Sequence, residues 1–358
     1  MKIGIYDPYL DTLSGGEKYM LSIALCLQDD HEVVIFWDKA KEQEIRSKAK
    51  ERFGFDLEKI AFAPSLFSKS VSFLTRYNKS KDYDLLFYLS DGSLPVVACD
   101  LIVHFQSPML WLKGRSLKNR LKMRRIKTVI CNSNFTKSYV DKIFGIESKI
   151  VYPPVSIQGR YQPTKKERII LNAGRFGINW AGSSFKKQDI LAEAFARLYT
   201  EGLKGWKLVF VMNVKDDALS AVDDLKNKYK DTPIEFVLNP NNRDLWKWYE
   251  KATFYWHAAG FAEDVTTHPD RAEHFGMTTV EAMGVGAVPL VVGAGGQKEI
   301  VEDQKNGRLW NTIDELIRFT KELILDDKKR ELLVQEAVKS SDSYSLESFN
   351  KSIKDLIT

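Results

Sequence analysis

Short apolar runs alternate along the chain with longer amphipathic stretches. Ile3–Tyr6, Glu32–Phe36, Ile60–Ala63, Leu85–Leu89, Leu101–Phe105, Thr128–Asn132 and Lys149–Tyr152 read as strands, and Gly16–Leu27, Ala40–Arg52, Ser65–Tyr77 and Phe135–Phe144 as helices among them. Strands this continuously apolar are expected to be covered on both faces, which predicts parallel sheets of βαβ units. The pattern breaks at Pro153–Arg168, where Pro153, Pro154, Gly159 and Pro163 accompany a run of charges, as in a connection between domains. It then restarts with strands Ile169–Ala173, Lys207–Val211, Ile234–Val237, Phe254–His257 and Val288–Val292 and helices Gln188–Tyr199, Leu219–Tyr229, Arg243–Lys251 and Gln297–Ile300. The fold class is therefore α/β, with two Rossmann-like, doubly wound domains facing across a cleft. The expected domains are 1–160 and 161–340, followed by a last helix, Leu346–Ile357, within 341–358.

Composition narrows the class without choosing a function. A chain of 358 residues, 44% hydrophobic and 28% charged, is expected to be a globular protein too long for one ordinary core. No run approaches a membrane span, and the strand at Met1–Tyr6 leaves no room for a signal peptide, so a cytoplasmic protein is expected. Cys26, Cys99 and Cys131 are scattered without metal spacing and read as packing residues in a reduced compartment.

The segment Glu273–Glu281, EHFGMTTVE, carries the clearest chemistry. A helix starting near Gly276 would place the two carboxylates on either side of its N-terminus, about 12 Å apart at the helical rise. Its first-turn amides and dipole favour a phosphate between them, and each carboxylate can accept hydrogen bonds from vicinal hydroxyls. Sugar, diphosphate and ribose in a row describe a nucleotide-sugar. An acidic first turn on a surface helix would give part of this pattern by itself. The continuation adds a buried strand, Val288–Val292, and a Gly-rich turn, Gly293–Gly296, facing the same ligand.

The stretch 273–310 resembles family 4 retaining glycosyltransferases of the GT-B fold, with both the Glu, seven residues, Glu signature and the Gly-Gly-x-x-Glu-Ile turn. The resemblance implies that Glu273 lies under the donor sugar and Glu281 holds the ribose. It places the amides of His274, Phe275 and Gly276 at the sugar and those of Met277 and Thr278 at the distal phosphate. In the loop LNAGRFGINWAGSSFKKQDI, Arg175 and Lys186 match the basic pair that neutralises the diphosphate, while the adjacent Lys187 reads as a solvated charge. Gly15 and Gly16 resemble the glycine loop of the family's first domain, which implies donor-binding residues where the substrate approaches the backbone closely. His104, with Pro108, resembles the His-x-x-x-Pro element of mannosyl- and glucosyltransferases, which implies contact with the donor sugar or orientation of the acceptor. The resemblance also assigns the acceptor to domain 1–160 and the nucleotide-sugar to domain 161–340, and returns the last helix to the first domain.

These likenesses imply transfer of a mannose- or glucose-type sugar, with retention and without a metal, from a UDP-sugar or GDP-sugar to a glycan or lipid-linked acceptor. No other cofactor is expected. Within the family, the chain looks most like mannosyltransferases of lipid-linked glycan synthesis. A non-catalytic nucleotide-sugar-binding regulator on the same fold is the alternative. A dinucleotide-dependent oxidoreductase is more remote, because Pro289 stands where the third glycine of a fingerprint begun by Gly284 and Gly286 belongs. Asp82 and Asp84 have a metal-binding form but precede a strand, and the acidic, His-containing loop before Glu273 matches no metal-ligand spacing. Between Trp111 and Lys127 there are eight basic residues and no acid, with Met109 and Leu110 just before them. Such a helix could dock on an anionic membrane surface, placing the protein on its inner face. No nucleic-acid motif accompanies the charges.

Overall fold

A computed structural model describes all residues except 160, 179–183 and 185. Part of the loop expected to lead from Arg175 to Lys186, and one residue of the expected interdomain connection, therefore lie outside the described residues. Two compact units emerge: Met1–Pro154 with Leu346–Thr358, and Val155–Ser345.

The first unit runs β1 (Lys2–Tyr6), α1 (Gly15–Leu27), β2 (Glu32–Phe36), α2 (Glu42–Phe53), β3 (Ala61–Ala63), α3 (Phe73–Lys79), β4 (Leu85–Leu89), β5 (Asp100–Phe105), α4 (Leu117–Met123), β6 (Thr128–Cys131), α5 (Asn134–Phe144) and β7 (Lys149–Ile150). Its strands form one parallel sheet in the order β3-β2-β1-β4-β5-β6-β7. The LLFYL run of β4 shows why alternation is absent from the sequence. Leu85, Phe87 and Leu89 enter a core shared with Ile3, Ile23 and Ile45, while Leu86 and Tyr88 enter another shared with Phe105, Val140 and Phe144. Both faces are covered, so every position must be apolar.

The second unit runs β8 (Glu167–Phe176), α6 (Gln188–Thr200), β9 (Lys207–Val214), α7 (Leu219–Lys228), β10 (Ile234–Leu238), α8 (Asn242–Lys251), β11 (Ala252–His257), α9 (Met277–Gly284), β12 (Val288–Val292), α10 (Gln297–Ile300), β13 (Arg308–Trp310), α11 (Ile313–Leu325) and α12 (Asp327–Ser341). These strands make a second parallel sheet, β10-β9-β8-β11-β12-β13. The final helix, α13 (Leu346–Ile357), belongs to the first unit, where it buries Phe349, Ile353 and Leu356 and sets the Phe349 ring edge-on to Tyr19 at 5.1 Å.

In each sheet the chain winds outward on one side and then resumes on the other. The reversal falls between β1 and β4 in the first unit and between β8 and β11 in the second. Crevices for ligands open at the carboxyl ends of such strand pairs. The loops after β1, β8 and β11 lie at these carboxyl ends.

Candidate active site

In the second unit, β11 ends at His257, and the chain returns to the sheet at α9 after a loop that contains Glu273. Gly276 caps α9 with φ +121°, a conformation that strains any other residue, and a Cβ there would lie 2.7 Å from Gln297 Nε2. The turn at Gly295–Gly296 lies directly on the backbone of this loop. Gly296 N donates to Glu273 O at 2.7 Å, and a Cβ on Gly295 would stand 2.3 Å from that same oxygen. The glycine pair, expected to face a ligand, serves here to clamp the segment that presents Glu273.

Glu273 accepts two strong hydrogen bonds on one oxygen. Lys186 Nζ donates to Oε2 at 2.6 Å and His257 Nε2 donates to it at 2.8 Å. Oε1 has no partner among the described residues, so it keeps its accepting capacity for a ligand. Burial is the largest influence on this carboxyl and would raise its pKa, but Lys186 and His257 together hold it well below the usual range. His257 is itself buried, and burial pushes its pKa down against the pull of Glu273. A neutral imidazole with its proton on Nε2 satisfies this arrangement; Nδ1 is enclosed without a partner.

The second carboxylate of the signature lies in α9. Glu281 Oε2 accepts from Tyr249 Oη at 2.8 Å, and burial, with Glu281 adding to it, drives the Tyr249 hydroxyl well above its ordinary pKa. Next to the helix start, Tyr255 Oη bonds Thr278 Oγ1 at 2.7 Å and faces the Ala173 carbonyl at 3.3 Å, joining the end of β8 to α9. His274, Met277 and Thr278 are half-buried. Phe275 turns its ring into the core against Tyr344.

Arg175 stands exposed near the end of β8, with no acidic partner among the described residues. Lys187 departs from the expectation of a solvated charge. Its φ of +56° turns it away from Lys186, and its Nζ lies 2.6 Å from Glu263, which also pairs with Arg271 at 3.0 Å. Asp264 is tied to Thr266 and Thr267. Among the described residues, no group of three His, Cys, Asp or Glu side chains is placed to hold a metal ion.

The remaining candidates belong to the first unit. Ser14 and Glu17 form a capping box at the start of α1, so Gly15 and Gly16 begin a well-fixed helix. His104, expected to contact the donor sugar or orient the acceptor, is fully buried and stacked on Tyr19 at 4.1 Å, with Nδ1 facing the Ile130 carbonyl and Nε2 enclosed without a partner. Burial lowers its pKa to about 3, so it is a neutral core side chain. The group at the carboxyl end of β5 that reaches the glycine loop is Gln106. Its Nε2 donates to Gly16 O at 3.0 Å, and a Cβ on Gly16 would strike its Oε1. Sequence reasoning missed Gln106, Tyr249 and the role of His257; the polar ends of apolar strands β5 and β11 were the available signals for the first and last.

Two doubly wound parallel sheets, the second carrying a charged carboxylate and a helix start at its switch point, make the GT-B fold. The model of the family Glycosyl transferases group 1 matches residues 157–340, more than half of the chain, and the chain belongs to that family. It is 23% identical to the GDP-Man:Man(3)GlcNAc(2)-PP-Dol alpha-1,2-mannosyltransferase of Dictyostelium discoideum, across all of this chain and 85% of that protein. Among solved structures it resembles Anabaena Alr3699/HepE in complex with UDP, with TM-score 0.76, 18% identity and coverage of 100% and 99% of the two chains. It also resembles WaaG, a glycosyltransferase involved in lipopolysaccharide biosynthesis, with TM-score 0.64, 14% identity and full coverage of both chains.

Proposed function

We propose that this glycosyltransferase moves a mannose- or glucose-type residue from a nucleoside-diphosphate sugar to a glycan or lipid-linked acceptor, with retention and without a metal ion. The observation that carries the reading is the state of Glu273, an ionised carboxylate with Oε2 held by Lys186 and His257 and Oε1 left to accept from a sugar hydroxyl. Glu281, oriented by Tyr249, accepts from the ribose. The amides of His274, Phe275 and Gly276 face the sugar, and those of Met277 and Thr278, at the start of α9, meet the distal phosphate.

In the reaction the bond between the anomeric carbon and the phosphate oxygen breaks, and a bond to the acceptor oxygen forms on the same face. The acceptor proton passes to the leaving phosphate. Arg175 and Lys186 stabilise the charge that develops on the diphosphate, with Lys186 turning from Glu273 toward it. Gly15 and Gly16, with Gln106 beside them, let the donor approach the backbone of the first unit, which also receives the acceptor. The names of the relatives supply the donor candidates: GDP-Man for the Dictyostelium protein and a nucleotide built on UDP for HepE. The basic segment 109–127 meets an anionic membrane surface where a lipid-linked acceptor resides. Among the described residues, no helix is long and apolar enough to cross a membrane.

A donor panel tests the reading. GDP-mannose or a UDP-hexose is expected to release its nucleoside diphosphate in an acceptor-dependent manner, with the anomeric configuration retained by NMR and the rate unchanged in EDTA. Binding of these donors without turnover on any glycan or lipid-linked acceptor would favour a regulator, and an inverted product would remove the same-face mechanism.

A further inference from the structure

Two stretches of the first unit contain no acidic residue: 59–81, which includes α3, and 101–140, which includes α4. The fold brings these helices together. Ser72 caps α3 and Ser116 caps α4, and between them lies a groove of about 620 Å³ lined by Phe73, Arg76, Leu117, Lys118, Leu121 and Lys122 along with Leu94 and Val96. The apolar side chains remain at the surface, with Phe73 exposed by 52%, Leu74 by 69%, Leu117 by 74% and Leu121 by 54%. Leu117 and Leu121 are one helical turn apart, as are Lys118 and Lys122, so α4 carries an apolar row beside a cationic one.

The charges at this groove have no acid to answer them. Arg76 Nε is buried without a hydrogen-bond partner, and Lys118 has no acidic partner among the described residues. Lys122 donates to the Leu94 carbonyl, and burial followed by Lys118 and Arg76 lowers its pKa. A second copy docked through the same face would set these cations against their own duplicates, because a two-fold interface is self-complementary. Hydrocarbon next to phosphate satisfies both halves of the surface. Apolar side chains enter the acyl region while the lysine and arginine stems carry their charges up to the headgroups.

We infer that α3 and α4 together form an insertion face for an anionic phospholipid leaflet, with Phe73 and Leu74 of α3 as anchors alongside Leu117 and Leu121 of α4. This rests on the membrane reading of 109–127 and extends it to a helix outside that segment. It also makes apolar insertion, and not the basic run alone, the source of binding.

Sedimentation of the full chain with vesicles of phosphatidylcholine containing one-third phosphatidylglycerol tests this, with pure phosphatidylcholine as the control. The parent is expected to partition onto the anionic vesicles, and Phe73→Ser with Leu74→Ser to reduce that partitioning by about tenfold or more, since each anchor buries substantial apolar area. Leu117→Ser with Leu121→Ser is expected to do the same. All four side chains are exposed, so thermal midpoints should match the parent. A second variant changes Arg120, Lys122, Arg124 and Arg125 together to Ser. If that variant loses binding while the α3 variant sediments like the parent, the two-helix face is overturned and the 109–127 reading stands. A parent that binds neither vesicle overturns both. Light scattering that shows a dimer dissolved by the α3 variant would assign the face to self-association and overturn the inference.

Discussion

The crevice at the β8–β11 reversal and the crevice at the β1–β4 reversal arise from the same winding rule, yet they hold opposite chemistry. In the second unit, Lys186 lies against Glu273, Arg175 stands exposed nearby on β8, and the carboxylate stays ionised despite its burial. In the first, the loop after β1 gathers acids. Asp7 is 1% exposed and has Oδ2 without a partner; burial, then Glu17, raises its pKa to about 8. Glu17 is engaged in the cap of α1, accepting from Thr12 Oγ1 and from Ser14. Topology supplies a crevice in each unit, but charge decides its ligand. Under the proposed function the cation-bearing crevice of the second unit takes the diphosphate, and the first unit takes the acceptor.

The largest way to break that contrast is to remove the cation that serves both the carboxylate and the leaving group. Lys186→Ala is expected to lower kcat by about 10²–10³-fold, the scale of one lost electrostatic contact at a developing charge. Burial would then act on Glu273 with less opposition, so the acid limb of the pH–rate profile should move to higher pH. A profile with unchanged limbs would separate Lys186 from Glu273.

His257 should matter less and in a distinguishable way. His257→Ala is expected to lower kcat by about tenfold, consistent with one hydrogen bond to a charged group, with little change in nucleotide affinity. It should also shift the acid limb upward, by less than Lys186→Ala does. His257→Gln keeps an N–H donor and is expected to restore part of both effects. Loss of activity in the Ala variant with an unshifted profile would make His257 a packing residue only.

The smallest effect on turnover belongs to the acidic crevice, where the readout is stability. Folded Asp7 keeps its proton up to about pH 8, whereas the unfolded chain releases it near pH ~4. The unfolded state therefore binds fewer protons across that window, and stability is lost as pH rises through it. Asp7→Asn removes the dependence. Its thermal midpoint is expected to exceed the parent's at pH 8, by about 2–4 °C for each kcal/mol of penalty removed, and to match it at pH 4. An equal gain at both would show that the carboxyl does not titrate as its burial dictates.

Much of the secondary structure could be read because buried parallel strands must be apolar throughout, and the start of α9 because Gly276 precedes a short run with two flanking carboxylates. Other features depend on contacts that spacing cannot supply. The helix expected over Ser65–Tyr77 begins only at Phe73, where Ser72 provides the cap. Strand β13 and helices α11 and α12 lie outside the elements that the sequence pattern predicts. Lys186 and Lys187 are adjacent in sequence, and only the left-handed backbone at Lys187 sends them to different glutamates. His104 and Gln106 differ by two residues, but the end of β5 at Phe105 leaves one in the core and the other at the loop. The contact between His257 and Glu273 forms only when the loop after β11 folds back across sixteen positions.

The central claim is that Glu273 acts on the sugar while Glu281 holds the nucleotide. Calorimetry with the nucleoside diphosphate, paired with turnover of the matching sugar donor, tests it on Glu273→Gln and Glu281→Ala. Glu273→Gln is expected to bind the nucleoside diphosphate about as the parent does and to turn over about a hundredfold or more slowly. Glu281→Ala is expected to lose about 10–100-fold in nucleoside-diphosphate affinity, equivalent to roughly 1.5–3 kcal/mol. Unchanged nucleotide affinity in the Glu281 variant, or near-parental turnover in the Glu273 variant, would contradict the account.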